Sequence, residues 1–120
     1  MAISKVRMQH IASDFEIGKL PALNSQQFIL STMGERNLQL EVIALFIAQL
    51  TTVRNRDPQS DAKFPAHTLR GAALAIGAEE IAAIAGLWED RSLSQLQLDE
   101  ILRLAEARFQ TATGQFFQKS

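Results

Sequence analysis

His67 is the residue of this sequence whose type and surroundings best fit chemistry, and Arg70 and Gly71 follow it at helical spacing. A neutral imidazole has one nitrogen with a free lone pair, so it can attack an acyl phosphate near neutral pH. The product would be a phosphohistidine, and an exposed arginine one turn away could stabilise its negative charge by at most ~1 kcal/mol. Because the chain has no cysteine, thiolate nucleophiles and cysteine zinc sites are excluded.

Helical geometry places His67 opposite the apolar residues around it. At 100° per residue, Leu69 and Ile76 lie roughly 200° and 180° from the histidine. Arg70 and Gly71 lie within about 60° of it. We therefore expect one face of this helix to pack inward and the imidazole to face the solvent.

The face around the histidine also carries two apolar side chains and a further cation. The same count places Lys63, Phe64 and Leu74 within about 60° of the histidine. Exposed apolar side chains favour a docking patch, and Gly71 would let a partner approach because it has no side chain. Plainer explanations are that Arg70 is a solvated charge, that the N-terminal arm covers Leu74, and that Gly71 permits close helix packing.

The residues from 66 to 71 read Ala-His-Thr-Leu-Arg-Gly, and small residues then lead to Gly77-Ala78. This stretch resembles the signature of the histidine phosphotransfer (HPt) domain, Ala-His-x-Leu-Lys-Gly followed by small residues and Gly-Ala. The resemblance extends more loosely from about residue 24 to the C-terminus. Arg70 stands where the family usually has lysine, which keeps the charge. Ala72 stands where serine or another small residue is common, which removes a potential hydrogen bond.

The resemblance implies a stand-alone phosphorelay intermediate built as an antiparallel four-helix bundle. His67 would accept phosphate from the aspartate of a response-regulator receiver domain or hybrid histidine kinase and return it to another receiver, with Arg70 stabilising the phosphorylated state. The partner receiver would bring the Mg²⁺, which fits the lack of a carboxylate cluster near His67. This chain would bind no cofactor or metal of its own. The receiver-docking residues expected on this face are Lys63, Phe64, Gly71 and Leu74.

A non-catalytic helical adaptor is the alternative hypothesis, either an HPt-like domain that only binds receivers or a dimerisation module. The apolar positions of residues 38–53 nearly encircle a helix, so two of its faces must be covered. The N-terminal arm or a second subunit could cover the extra face. We accordingly expect a monomer or a weak homodimer.

Composition and charge restrict the remaining classes. The chain has 120 residues, 47% of them hydrophobic, which suits one compact domain. Its 12 basic and 13 acidic residues give a formal net charge of −1, so no overall basic field would attract nucleic acid or an anionic membrane. No apolar run reaches the ~18 residues of a membrane span, and no secretory signal is evident. We therefore expect a cytoplasmic protein. A phosphate-binding Gly-Lys-Ser/Thr loop is also missing, so we expect no ATP-dependent kinase activity.

Helix patterns divide the chain into an N-terminal arm, residues 1–20, and a bundle domain, residues 21–120. No segment shows sustained strand alternation, so the predicted fold is all-α: a four-helix bundle with an additional N-terminal arm or short helix. The predicted helices are 26–33, capped by Asn24-Ser25 and ended by Gly34; 38–53; the histidine helix ending at Gly77; 79–90; and a last helix capped by Ser92 or Ser94.

Two further features concern the starts of helices. The histidine helix could begin at Asp57-Pro58 and contain a kink before His67, or begin nearer Asp61, because Pro65 would cost ~3 kcal/mol deep inside a regular helix. The pair Glu79-Glu80 is interpreted as N-terminal negative charge that favours the dipole of its helix.

Overall fold

The protein is all-helical in the computed structural model, which describes residues 15–119; over that range it has five helices and no strand. Helices α2 to α5 form a bundle in which α3 packs on α2 and α4, and α5 packs on α4 and α2; the short α1 packs on α2 and α3. The all-α prediction is confirmed. The helices are α1 Ser25–Thr32, α2 Arg36–Arg54, α3 Lys63–Ile76, α4 Glu79–Glu89 and α5 Gln95–Lys119.

One apolar core joins all four bundle helices, because each helix turns an apolar stripe inward. The rings of Phe46 and Phe109 meet edge to face in this core, with centroids 5.3 Å apart. A similar contact of 5.1 Å between Phe28 and Phe116 joins α1 to the end of α5. Among the described residues, the largest fully buried aliphatic side chains are Leu50 on α2, Leu69 on α3, Ile81 and Ile84 on α4, and Leu98, Ile101 and Leu102 on α5.

The predicted caps of the first and last helices are confirmed. The side chain of Asn24 accepts a hydrogen bond of 3.1 Å from the backbone N–H of Gln27, which caps α1. At α5, Ser94 Oγ accepts from the N–H of Gln97 at 3.2 Å, and the side chain of Gln97 accepts from the N–H of Ser94 at 2.9 Å. This reciprocal pair is the capping box expected from the sequence, with Ser94 as its first member.

The start of α3 decides where Pro65 lies. The helix begins at Lys63, so the proline falls in its first turn, where a backbone N–H would have no partner within the helix. Asp61 Oδ1 accepts a hydrogen bond of 3.0 Å from the N–H of Lys63, the first residue of this helix. The alternative prediction, a helix that begins at Asp57, is therefore wrong. The carboxylate of Asp57 instead accepts a hydrogen bond of 3.0 Å from the N–H of Gln59 in a turn.

The link between α3 and α4 consists of Gly77 and Ala78. Gly77 ends α3 in the left-handed region, with φ of 87°, and the N–H of Ala78 donates to the carbonyl of Ala73 at 2.8 Å. The carbonyl of Gly77 in turn accepts from the N–H of Asn24 at 2.7 Å, which ties the link to the start of α1. Such a short link makes α3 and α4 antiparallel neighbours.

Glu80 has a larger role than the helix-dipole interpretation gave it. Its side chain is fully buried, Oε1 accepts from Nε of Arg108 at 2.8 Å, and Oε2 accepts from the N–H of Gly18 at 2.7 Å. These bonds satisfy a buried carboxylate and fasten the segment before α1 to α4 and α5. Residues 1–14 of the predicted arm lie outside the described residues, and residues 15–24 form no helix.

The described residues cover only part of the second apolar face of α2. Val42, Ile43 and Ile47 are half-buried against the core, whereas Leu40 and Leu45 are exposed. Covering of these two leucines by the arm or by a second subunit stays a prediction. Over residues 15–119, no helix combines the length and the apolar content that crossing a membrane requires.

Candidate functional site around His67

His67 lies in the second turn of α3 and points away from the core. Its side chain is 70% exposed, while Ala66, Leu69 and Ala73 on the other side of the helix are fully buried. The predicted separation of the two faces is confirmed. An imidazole in this position is accessible to a second protein without any movement of the bundle.

Glu89, at the end of α4, is the residue that contacts the imidazole. Nδ1 of His67 and Oε2 of Glu89 are 3.0 Å apart. Because a carboxylate can only accept, the ring nitrogen is the donor and Nδ1 carries a proton. Nε2 makes no hydrogen bond to any of the described residues.

The same carboxylate also contacts Arg70. Its Oε1 lies 3.8 Å from Nη1 of Arg70, whose side chain is half exposed, while that of Glu89 is one-quarter exposed. Gly86 lies one turn before Glu89, and a Cβ there would be 3.7 Å from Nε of Arg70. The arginine therefore extends along the surface of α4 and is held beside the histidine, in place of the freely solvated charge of the plainer explanation.

Sequence reasoning missed Glu89, although a signal for it existed. His67 and Glu89 lie equally far along the chain from Ala78, on either side of the short link. In an antiparallel helix pair, residues equally distant from a tight link lie at the same height, because both helices rise ~1.5 Å per residue. One carboxylate thus reaches His67 from the next helix.

The predicted docking residues share the exposed face of α3. Phe64 is 78% exposed and Leu74 is 50% exposed, so the described residues leave both uncovered; Lys63 is exposed as well. A Cβ added to Gly71 would meet nothing within 4 Å. Among the described residues, close helix packing therefore does not explain this glycine. The spacing of three and four residues puts these side chains in one row that passes through His67.

Metal binding has no visible support in the described part of the chain. Over residues 15–119, no three His, Asp or Glu side chains are grouped so that they could hold a metal ion. The side chains in contact at this site are one imidazole, one carboxylate and one guanidinium.

Comparison with known proteins identifies a family for this chain. A family model described as Hpt domain matches residues 29–112, a range that includes all of α2, α3 and α4 and hence the whole site. No curated protein and no solved structure matches the chain.

Proposed function

The chain belongs to the Hpt-domain family, which serves histidine phosphotransfer in phosphorelays, and we propose that Nε2 of His67 is its phosphoryl acceptor. The observation that carries this proposal is the state of the imidazole, which is 70% exposed and donates from Nδ1. A ring held in this way presents the lone pair of Nε2 to an incoming phosphoryl group.

The transfer step that we propose moves a phosphoryl group and no proton. The lone pair of Nε2 attacks phosphorus in the aspartyl phosphate of a receiver domain, while the bond from phosphorus to the aspartyl oxygen breaks. The receiver's aspartate leaves as a carboxylate, and the phosphorylated ring becomes cationic with its proton still on Nδ1. Positioning of the two proteins supplies most of the catalysis, and Arg70 stabilises the phosphoryl charge.

The proposed partners are receiver domains of response regulators and of hybrid histidine kinases, met in the cytoplasm. Phe64 and Leu74 would be the apolar contacts on either side of the histidine, Lys63 a cationic contact, and Gly71 the point of closest approach. A small patch on one helix suits a transient complex, as a relay requires. The receiver's own Mg²⁺ would neutralise the phosphoryl oxygens during transfer.

Transfer of radiolabelled phosphate from a phosphorylated receiver domain to the purified protein tests the proposal. We expect label that is removed by acid and retained in base, because a phosphoramidate bond is acid-labile. Fragment mapping should place the label within α3. Absence of labelling by every receiver domain of the same organism would favour the adaptor hypothesis.

The first prediction concerns Phe64. Phe64→Ala should weaken the affinity for the receiver at least about fivefold, because removing an apolar anchor costs roughly 1 kcal/mol or more. The melting temperature should stay unchanged, since the side chain is 78% exposed. Leu96→Ala is the matched control: it removes a side chain that is 69% exposed and belongs to a different helix, α5. Isothermal titration with the receiver measures both, and equal reductions in affinity would contradict this docking face.

The second prediction concerns Gly71. Gly71→Gln should raise the stability by about 0.5 kcal/mol, because glutamine is a better helix former than glycine. It should nevertheless slow transfer from a receiver about tenfold, since the new side chain keeps the two proteins apart. Gly114→Gln is the control, because Gly114 on α5 also has nothing within 4 Å of an added Cβ. Unchanged transfer in Gly71→Gln would argue against close approach at this point.

A further inference from the structure

We propose that Arg56 is a positioning residue for receiver recognition, which orders the first turn of α3 so that Lys63 and Phe64 form a preformed docking surface. The inference rests on the proposed function of His67. It concerns the affinity for the receiver, whereas the chemistry of the imidazole does not depend on Arg56. Its basis is the set of contacts through which this one guanidinium joins the loop before α3 to α4 and α5.

Arg56 follows the end of α2 and contacts three parts of the protein at once. Its Nη1 donates to Oε1 of Gln95, the first residue of α5, at 2.9 Å. Its Nη2 donates to the carbonyl oxygen and to Oγ of Ser60, at 2.6 and 2.8 Å. The guanidinium also lies over the ring of the buried Trp88 on α4, 5.2 Å from the centroid. The planar fork of an arginine can make all of these contacts together, which the single ammonium of a lysine cannot.

The loop of residues 57–62 is shaped by hydrogen bonds within itself. The carbonyl of Asp57 accepts from the N–H and from Oγ of Ser60, at 3.1 and 2.7 Å. Such bonds close a turn but do not fix it to the bundle. Arg56 fixes the turn, because it holds Ser60 beside α4 and α5. The loop also lines a groove together with Glu89, so it adjoins the candidate site.

The first turn of α3 depends on the loop that precedes it, because the first backbone N–H groups of a helix have no partners within the helix. The N–H of Lys63 is bound instead by Asp61, a residue of the loop. Phe64 is 78% exposed, so the core does not order its side chain. His67 lies almost one turn further on and follows the fully buried Ala66. Release of the loop should therefore disorder the docking residues and leave the imidazole in place.

Backbone ¹⁵N relaxation provides the first test. In Arg56→Ala, the order parameters of residues 57–64 should fall toward the ~0.6 of a flexible backbone, while those of residues 66–76 keep their wild-type values. Arg54→Ala is the matched control. Arg54 also joins α2 to α5, through an ion pair with Glu106, but within the described residues it makes no hydrogen bond to the loop. Wild-type order parameters for residues 57–64 in Arg56→Ala overturn the inference.

The affinity for a receiver domain, measured by isothermal titration, provides the second test. Arg56→Ala should weaken it about tenfold, because binding must then order the loop and the docking side chains. Arg56→Lys should have an intermediate affinity, and Arg54→Ala that of the wild type. Potassium phosphoramidate, a small donor that requires no docking, should phosphorylate His67 at the wild-type rate in all three variants. An unchanged affinity in Arg56→Ala, or slower phosphorylation by phosphoramidate, overturns the inference.

A double-mutant cycle separates positioning from a general loss of structure. If Arg56 acts through the docking residues, Arg56→Ala should weaken binding less than about threefold in a protein that already carries Phe64→Ala. Additive effects of the two substitutions overturn the inference. Binding and labelling of the wild type by the same receiver are measured first. If no receiver does either, the proposed function fails and this inference fails with it; a negative result in the variants alone overturns only the role of Arg56.

Discussion

Replacement of His67 by glutamine is expected to abolish acid-labile phosphorylation completely and to leave the fold intact. A glutamine amide has no nucleophilic nitrogen, so no residual transfer at this position is expected. The side chain is 70% exposed, and its hydrogen bond with Glu89, which the substitution removes, belongs to an exposed pair worth at most ~1 kcal/mol. The melting temperature should therefore change by no more than about 4 °C. Labelling from a phosphorylated receiver and thermal unfolding measure the two effects.

His10→Gln is the matched control, because His10 is the chain's other histidine. It should be labelled like the wild type. Acid-labile label that persists in His67→Gln would place the acceptor elsewhere. His67→Gln also separates the relay hypothesis from the adaptor hypothesis. A receiver-binding adaptor with this substitution would keep its affinity for receivers and its signalling output, whereas a relay protein would keep only the affinity.

Replacement of Gly77 by alanine should destabilise the bundle by about 3 kcal/mol, the largest stability effect expected of a single methyl group here. A left-handed backbone, with φ of 87° at this position, costs a residue with a Cβ ~1–2 kcal/mol. The added Cβ would also lie 2.5 Å from the backbone carbonyl oxygen of Asn24, so α1 or the α3–α4 link must move. A fall of roughly 10 °C in melting temperature should follow, measured by circular dichroism or calorimetry.

Gly34→Ala isolates the contribution of the backbone conformation. Gly34 also has a positive φ, 69°, but an added Cβ would meet nothing within 4 Å. We expect a cost of ~1–2 kcal/mol there, from conformation alone. Equal costs at the two glycines would show that the approach of the Asn24 carbonyl contributes nothing to stability.

Local signals explain the parts of the fold that the sequence predicted correctly. The caps Asn24 and Ser94 act on backbone groups within three residues, so side-chain type and spacing suffice to identify them. The faces of α3 follow from helical periodicity, which places the buried Leu69 opposite the exposed His67. The start of α3 does not follow from local signals, because Pro65 fits more than one helix start until the turn at 57–60 is known.

By itself, then, the sequence determined the all-α fold, because no segment alternates as a strand does. It also determined that His67, Arg70 and the predicted docking residues share one face of α3, because these residues lie on one helix and follow from one period. Only the tertiary structure decided which side chains meet across helices. Glu89 reaches His67 because a short link aligns α3 with α4, and Glu80 is buried because Arg108 and Gly18 satisfy its carboxylate. Contacts of this kind depend on the relative placement of two elements, which no periodicity within either element contains.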